Sequence, residues 1–115
     1  MTPLATADAL FGKIIRRDGY CHICGSTEVV QCAHGFSRRY RAVRWDERNA
    51  WALCRRHHLY FTHRPLEWEE WMRDEMGDDA YDKLRYDALY GDVWTPKDVI
   101  PVLRERARAL GLVVK

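Results

Sequence analysis

Two pairs of metal-type ligands constrain this chain more than any other feature. Cys21 and Cys24 form a C-x-x-C pair, and Cys54 and His57 form a C-x-x-H pair after 29 intervening residues. Each pair can grip one ion, and Zn²⁺ accepts thiolate and imidazole in a tetrahedral Cys3His set. The chain therefore has to fold so that the two pairs meet. Cys32 could replace His57 as the fourth ligand. We prefer His57, because it follows Cys54 by three residues at the start of a predicted helix.

The length and the apolar pattern indicate one small domain. A chain of 115 residues allows a modest core, for which a bound metal is a useful support. No apolar run approaches the roughly 20 residues that span a bilayer, and the N-terminus lacks a basic-then-apolar signal segment. We therefore expect a cytoplasmic protein with no membrane partner. In a reducing compartment, four cysteines at this spacing favour zinc ligation over two disulfides.

Charge is divided unevenly along the chain. Residues 1–64 hold 11 Lys/Arg and 5 Asp/Glu, whereas residues 65–115 hold 8 and 12. All five histidines also lie in the first part. Histidine chemistry and any surface for a polyanion are therefore expected there, and the acidic second part is expected to be scaffold or a surface for a protein partner.

Apolar periodicity predicts a helix, two short strands and a second short helix in the first part. The first helix is predicted over residues 7–17. Residues 29–33 are a predicted strand, residues 49–53 are a second short strand or a turn, and residues 54–62 are the short helix. The basic segment 35–48 is expected to connect the strands outside the core.

The acidic second part is predicted to be helical. Pro65 suits the first position of a helix that ends at Gly77 and carries one apolar face, formed by Leu66, Trp68, Trp71, Met72 and Met76. A second helix is predicted to be capped by Asp78 or Asp79 and to end before Gly91. Thr95 can cap a third that ends at Gly111. Pro101 lies inside this third helix, which predicts either a later start or a kink.

Further polar residues remain once the four metal ligands are assigned. His34, Asn49 and His58 are separated by steps of 15 and 9 residues, and they lie in the runs CAHGFSRR (32–39), RWDERN (44–49) and LCRRHH (53–58). These runs resemble the HNH (ββα-metal) endonucleases. They are most similar to the phage NinG/Rap recombination nucleases, whose motifs are H-x-x-S-R, R-[YW]-D-E-x-N and C-x-x-C. The resemblance covers about residues 21–63.

The resemblance implies a role for each of these residues. His34 would be the general base that activates water, for which an imidazole with a pKa near working pH is suited. Asn49 would hold the loop of His34 through its amide. His58 would bind a single divalent ion, Mg²⁺ or Mn²⁺, at the scissile phosphate, and His63 is the nearest candidate to assist it. The structural zinc would keep strands and helix at a fixed distance.

The chain departs from the wider HNH pattern at two positions. Many HNH enzymes have an Asp or His ligand immediately before the base, where this chain has Ala33. The second cysteine of the usual C-x-x-C is His57 here. Both ligand sets are therefore expected to be variants.

Arginines surround these polar residues in the sequence. Five lie between His34 and Asn49, and two open the helix of His58; the candidate DNA contacts among them are Arg38, Arg39, Arg41, Arg44, Arg55 and Arg56. Arginine is well suited to phosphate contacts, and a helix N-terminus adds partial positive charge. We therefore expect DNA to be bound through its backbone, without readout of bases. Trp68 and Trp71 are expected in the core.

Together these patterns predict an α+β fold in a single domain, residues 1–115. Residues 1–20 would hold an N-terminal helix, 21–64 a zinc-stapled ββα-metal core, and 65–115 a helical extension. The predicted function is metal-dependent hydrolysis of DNA phosphodiesters. The resemblance implies that the substrate is branched or single-strand-containing DNA in phage recombination.

The same patterns are also compatible with two other functions. One is a non-catalytic zinc module that binds DNA, or that binds a second copy of the chain or a phage or host protein through its acidic helices. The other, a redox-switched zinc sensor, would need reactive cysteines, for which the sequence gives no support.

Overall fold

Helices surround a two-stranded sheet in the computed structural model, which describes residues 1–113. The elements are α1 (Pro3–Ile15), β1 (Val30–His34), β2 (Ala50–Cys54), α2 (Arg55–Thr62), α3 (Pro65–Met76), α4 (Asp78–Tyr90) and α5 (Pro96–Ala109), with a 3₁₀ turn at Glu47–Asn49 before β2. The predicted α+β class is confirmed. Both strands lie within one residue of their predicted positions.

The sheet is antiparallel and leads directly into α2. Val30 pairs with Cys54 and His34 pairs with Ala50. Because successive side chains of a strand point to opposite faces, Cys32 packs toward α1 while Ala33 packs toward α3. This register puts His34 at the end of β1 and the Cys54 ligand at the opposite end of the ladder.

The first helix begins earlier than its apolar periodicity predicts. Thr2 caps it by accepting a hydrogen bond from the Ala5 N–H at 3.1 Å, and Pro3 occupies the first turn. Both are favoured at helix starts. The prediction of a start at residue 7 was wrong because it relied on periodicity and overlooked the cap.

Two apolar clusters cover opposite faces of the sheet. On one face α1 packs against α5 and buries Leu10, Phe11, Ile14, Val99 and Leu103 almost completely. Helices from the two ends of the chain thus share one core. The helical extension is part of the same packed structure as the N-terminal helix.

The second cluster is aromatic and lies between the sheet, α2 and α3. Trp68 stacks on Trp71 with ring centroids 5.1 Å apart, and Trp51 meets both rings edge-on. Trp68 is buried and Trp71 half-buried, in agreement with the expectation that they belong to the core. Leu66 was wrongly assigned to this face: it is 82% exposed.

The basic segment between the strands contributes to the core, contrary to expectation. Val43 and Trp45 are buried, and Arg44 is only 9% exposed. The polar composition of residues 35–48 concealed this, because their apolar side chains follow neither a helical nor a strand period.

The last helix runs through its internal proline. Thr95 Oγ1 accepts a hydrogen bond from the Asp98 N–H at 3.2 Å, so α5 starts at Pro96 and the alternative of a later start was wrong. Pro101 has no N–H to donate to the Lys97 carbonyl four residues earlier. Within residues 1–113, no helix combines the length and the apolar composition that crossing a membrane requires.

Candidate metal centre and histidine clefts

The two predicted ligand pairs come together beside the start of α2. The donor atoms of Cys21, Cys24, Cys54 and His57 all lie within 4.8 Å of one another. Cys24 Sγ is 3.8 Å from Cys54 Sγ, and His57 Nδ1 is 3.7 Å from Cys21 Sγ and 3.3 Å from Cys54 Sγ. A tetrahedral zinc with Zn–S bonds of about 2.3 Å has S···S edges of about 3.8 Å. The four side chains could therefore hold a metal ion such as zinc.

A turn built around Gly25 holds the first ligand pair. Gly25 has φ +74°, a conformation that glycine adopts without steric cost. Its N–H donates to the Cys21 carbonyl, and the Cys21 N–H donates to the Ser26 carbonyl, each at 2.8 Å. The His22 N–H donates to the Ala52 carbonyl at 2.8 Å. The turn is thereby fixed to β2, whose last residue is the third ligand.

The surroundings of Cys21 favour its thiolate. Burial opposes ionisation of Cys21, but hydrogen bonds outweigh it and lower the pKa of Cys21 to about 6. These hydrogen bonds come from the backbone at Cys54, Cys24 and Ile23 and from the ring of His57. The pKa of Cys54 is raised, first by burial and then by the neighbouring Cys24 and Cys21 sulfurs. A cation between the sulfurs would relieve this crowding of charge, because metals bind cysteine as thiolate.

Cys32 lies outside this group. It packs against the α1–α5 cluster, and burial raises the pKa of its thiol to about 11. A neutral thiol among apolar side chains does not supply a zinc ligand. The structure thus brings together His57, and not Cys32, with the three other cysteines.

His34 ends β1 in a fixed orientation. Its Nε2 lies 2.8 Å from the Arg44 carbonyl oxygen, which can only accept, so Nε2 carries the proton and Nδ1 keeps the lone pair. Trp68 Nε1 donates to the His34 and Gly35 carbonyls at 3.3 Å each. Burial lowers the pKa of His34. A neutral, oriented imidazole of this kind can accept a proton near neutral pH.

Asn49 closes the loop that starts after His34. It is fully buried. Its Oδ1 accepts from the Phe36 N–H at 2.7 Å, and its Nδ2 donates to the Phe36 carbonyl at 2.9 Å and the Val43 carbonyl at 3.1 Å. The amide approaches so closely that a Cβ at Gly35 would lie 2.9 Å from Oδ1. Asn49 therefore positions the loop from the inside and has no exposed atom for a ligand.

His58 projects from α2 with one nitrogen engaged. Its Nδ1 lies 2.8 Å from Gln31 Oε1, an acceptor on β1, so Nε2 keeps the lone pair. Burial lowers the pKa of His58. Like His34, it is a neutral imidazole with one free acceptor nitrogen.

Two clefts share both imidazoles: one opens between the sheet, α2 and α3, and the other between α1, β1 and α2. We call the one of about 280 Å³ the histidine cleft; its lining includes His34, Ser37, His58, Thr62 and Trp68. We call the other, of about 440 Å³, the arginine cleft; its lining includes Asp8, Gly12, Arg16, Gln31, His34, Arg38 and His58. A ligand in either cleft would lie beside His34 and His58 together.

The predicted ligands of a second, catalytic metal ion do not form a cluster. His63 follows the last residue of α2, is exposed and lines neither cleft. Within residues 1–113, the only group of three or more His, Cys, Asp or Glu donors is the Cys3His group. Because Mg²⁺ prefers an octahedron of oxygens, the side chains around His58 do not form a protein cage for it.

The predicted DNA-contacting arginines lie in different places, on the loop after His34 and at the start of α2. Arg38 and Arg39 are exposed and Arg41 is half-buried. Arg55 and Arg56 are exposed as well, but they line a separate cleft of about 550 Å³ beside the metal ligands.

Arg44 is buried and cannot contact a phosphate of DNA, so the prediction that it is a DNA contact was wrong. It donates to Asp8 through Nε at 3.1 Å and Nη2 at 2.6 Å. Burial opposes ionisation of Asp8, but hydrogen bonds from Arg44 and Trp45 prevail and lower the pKa of Asp8. This ion pair fixes the loop of His34 to α1.

The supporting roles of three residues around the histidines were not predicted from the sequence. Gln31 orients His58, Trp68 anchors the carbonyl of His34, and Asp8 holds Arg44, whose carbonyl orients the His34 ring. Only the isolated acid in an otherwise apolar helical face could have drawn attention to Asp8. Comparison of the chain with protein-family models, with curated proteins and with solved structures finds no match.

Proposed function

We propose that this protein is a metal-dependent DNA endonuclease of the HNH type. The observation that carries the proposal is the pair of neutral imidazoles, His34 and His58, that line the same clefts with one acceptor nitrogen free on each. The order of β1, β2 and α2, with a Cys3His group beside them, agrees with the ββα-metal arrangement that the motifs resemble.

In the proposed reaction His34 is the general base. Its Nδ1 takes a proton from a water molecule as that water forms a bond to phosphorus and the bond from phosphorus to the leaving 3′-oxygen breaks, while its Nε2–H remains bonded to the Arg44 carbonyl. Asn49 and Trp68 act as positioning residues, since Asn49 fixes the loop that follows His34 and Trp68 fixes the carbonyl of His34 itself. Ser37 lines the histidine cleft beside His34 and can donate a hydrogen bond to a phosphate oxygen.

Zinc at the Cys3His group has a structural role in this proposal. Four protein ligands complete its tetrahedron and leave no position for substrate. It would hold Cys21 and Cys24 of the turn against Cys54 and His57, at the junction of β2 and α2.

A divalent ion at the phosphate would have His58 Nε2 as its free protein donor. Such an ion stabilises the charge of the leaving oxygen. Because the other ligands would have to come from phosphate and water, we expect the apparent affinity for Mg²⁺ or Mn²⁺ to be low without DNA.

A second candidate is a zinc-stabilised module that binds DNA without cleaving it. The absence, within residues 1–113, of a complete ligand set around His58 favours this alternative. Branched or single-strand-containing DNA in phage recombination remains a proposal that rests on the motif resemblance.

Cleavage of supercoiled plasmid and of a four-way junction tests the proposal. Wild type should cut with Mg²⁺ or Mn²⁺ and stop cutting with EDTA, and His34→Ala should lose at least about 100-fold in rate. His63→Ala is the matched control, because this histidine is exposed and lies outside both clefts; it should cut like wild type. Salt-sensitive DNA binding without cleavage in any metal would support the binding module instead.

A further inference from the structure

One cation of the arginine cleft has no carboxylate partner for its side chain and lies outside the motifs. Arg16 follows the last residue of α1, and no carboxylate within residues 1–113 pairs with it. Its neighbour Arg17 differs: that side chain lies 3.3 Å from Glu47 Oε1 and donates to the Ile14 carbonyl at 3.0 Å. The two adjacent arginines therefore have different surroundings.

A glycine in α1 makes room for the Arg16 side chain. Gly12 lies in the interior of the helix, where glycine is less favourable than alanine. An ideal Cβ at Gly12 would be 2.6 Å from Arg16 Nη1 and 3.3 Å from its Nη2. The guanidinium thus lies back along α1, at the wall of the cleft that also contains His34 and His58.

The remaining charges leave this cleft positive. Arg38 also lines it and has a 63% exposed side chain. Asp8 is the one carboxylate in the lining; the buried Arg44 pairs with it at 2.6 Å, and Arg38 makes a longer ion pair with it at 3.9 Å. Since Asp8 is neutralised by Arg44, the charges of Arg16 and Arg38 are available to an anion beside the two histidines.

We propose that Arg16 and Arg38 form a clamp for a backbone phosphate of DNA, next to the phosphate that His34 would act on. This inference rests on the proposed function for the position of the scissile phosphate. It adds α1, which lies outside the motif region, to the nucleic-acid surface. A clamp on a neighbouring phosphate binds ground state and transition state alike, so its loss should raise KM and leave kcat unchanged.

Binding of a fluorescein-labelled 20-base-pair duplex, measured by anisotropy without added divalent ion, tests the clamp. Arg16→Gln should raise Kd about 5- to 10-fold and reduce the slope of log K against log salt by about one. Arg16→Lys, which keeps the charge, should recover most of the affinity. Arg17→Gln is the matched control and should change Kd less than twofold.

Two results would overturn the clamp. One is wild-type affinity and salt slope in Arg16→Gln; the other is an equal loss in Arg16→Gln and Arg17→Gln, which would indicate a diffuse basic surface. The circular dichroism spectrum and Tm of each variant establish that it is folded. Cleavage is a separate readout: if wild type binds through Arg16 but never cuts, the nuclease proposal fails and the clamp stands.

Discussion

At the scale of single residues, the protonation state of the His34 ring sets the pH range of the proposed reaction. The neutral ring is the form that accepts a proton, and burial holds the pKa of His34 below its ordinary value of 6.5. As the proposed base, His34 would therefore stay competent below the pH at which an exposed histidine becomes protonated.

The pH dependence of kcat/KM follows from this shift. The rate should rise with pH through a midpoint below 6.5 and then become level. Above its lowered pKa, His34 is neutral in nearly every molecule, so a further rise in pH adds no more active base. Single-turnover cleavage between pH 4.5 and 8 measures the midpoint, and His63→Ala should leave it unchanged. A midpoint above 6.5 would contradict the assignment of His34 as the base.

At the scale of elements, the Cys3His group joins a turn, a strand and a helix. Structural zinc in small domains contributes on the order of 10 kcal/mol of apparent binding free energy, comparable to the whole stability of a domain. The junction of β2 with α2 is therefore expected to depend on the metal.

Zinc content discriminates between the two possible fourth ligands. Purified wild type should retain one zinc per chain after dialysis, and His57→Ala should lose most of it, because His57 Nδ1 completes the donor set. Cys32→Ala is the matched control and should retain zinc, since Cys32 packs against the α1–α5 cluster. Elemental analysis of the three proteins measures this. Loss of zinc in Cys32→Ala but not in His57→Ala would contradict the ligand set.

The elements themselves were largely predictable, because local signals define them. The spacing of Cys21, Cys24, Cys54 and His57 predicted which side chains could meet, and the strands followed from short apolar runs. The start of α1 and the burial of Val43 were missed, since a single cap residue and an irregular apolar loop have no period.

At the scale of the whole molecule, α1 and α5 close the fold from opposite ends of the chain. Leu103 is 4% exposed in their shared cluster, whereas Val102, one residue away, is 51% exposed. The histidine sites depend on this packing because Asp8 of α1 holds the loop that orients His34.

Substitution of Leu103 and of its neighbour Val102 distinguishes the effect of core packing from an effect on the helix itself. Leu103→Ala should lower the free energy of unfolding by about 3 kcal/mol through the cavity it leaves, and Val102→Ala should change it by less than about 0.5 kcal/mol. Urea denaturation followed by circular dichroism compares them. Equal stability of the two variants would show that α5 does not pack as described.

This level of organisation could not be predicted from the sequence. The contact of α1 with α5, the Asp8–Arg44 pair and the Gln31–His58 bond join residues far apart in the chain, and neither periodicity nor motif spacing encodes such pairings. Arg44 illustrates the consequence: composition placed it on a DNA surface, whereas a partner 36 positions away buries it.

His34 and His58 are proposed to act on one phosphate, and a double-mutant cycle is the most direct test of this pairing. Single-turnover cleavage would be measured for wild type, His34→Ala, His58→Ala and the double variant, with zinc content checked in each. If the two residues act as a unit, each single change should cost at least about 100-fold and the double variant little more than the larger single loss. Losses that multiply, or a single variant that cuts at the wild-type rate, would show that the two histidines do not act as a unit on one phosphate.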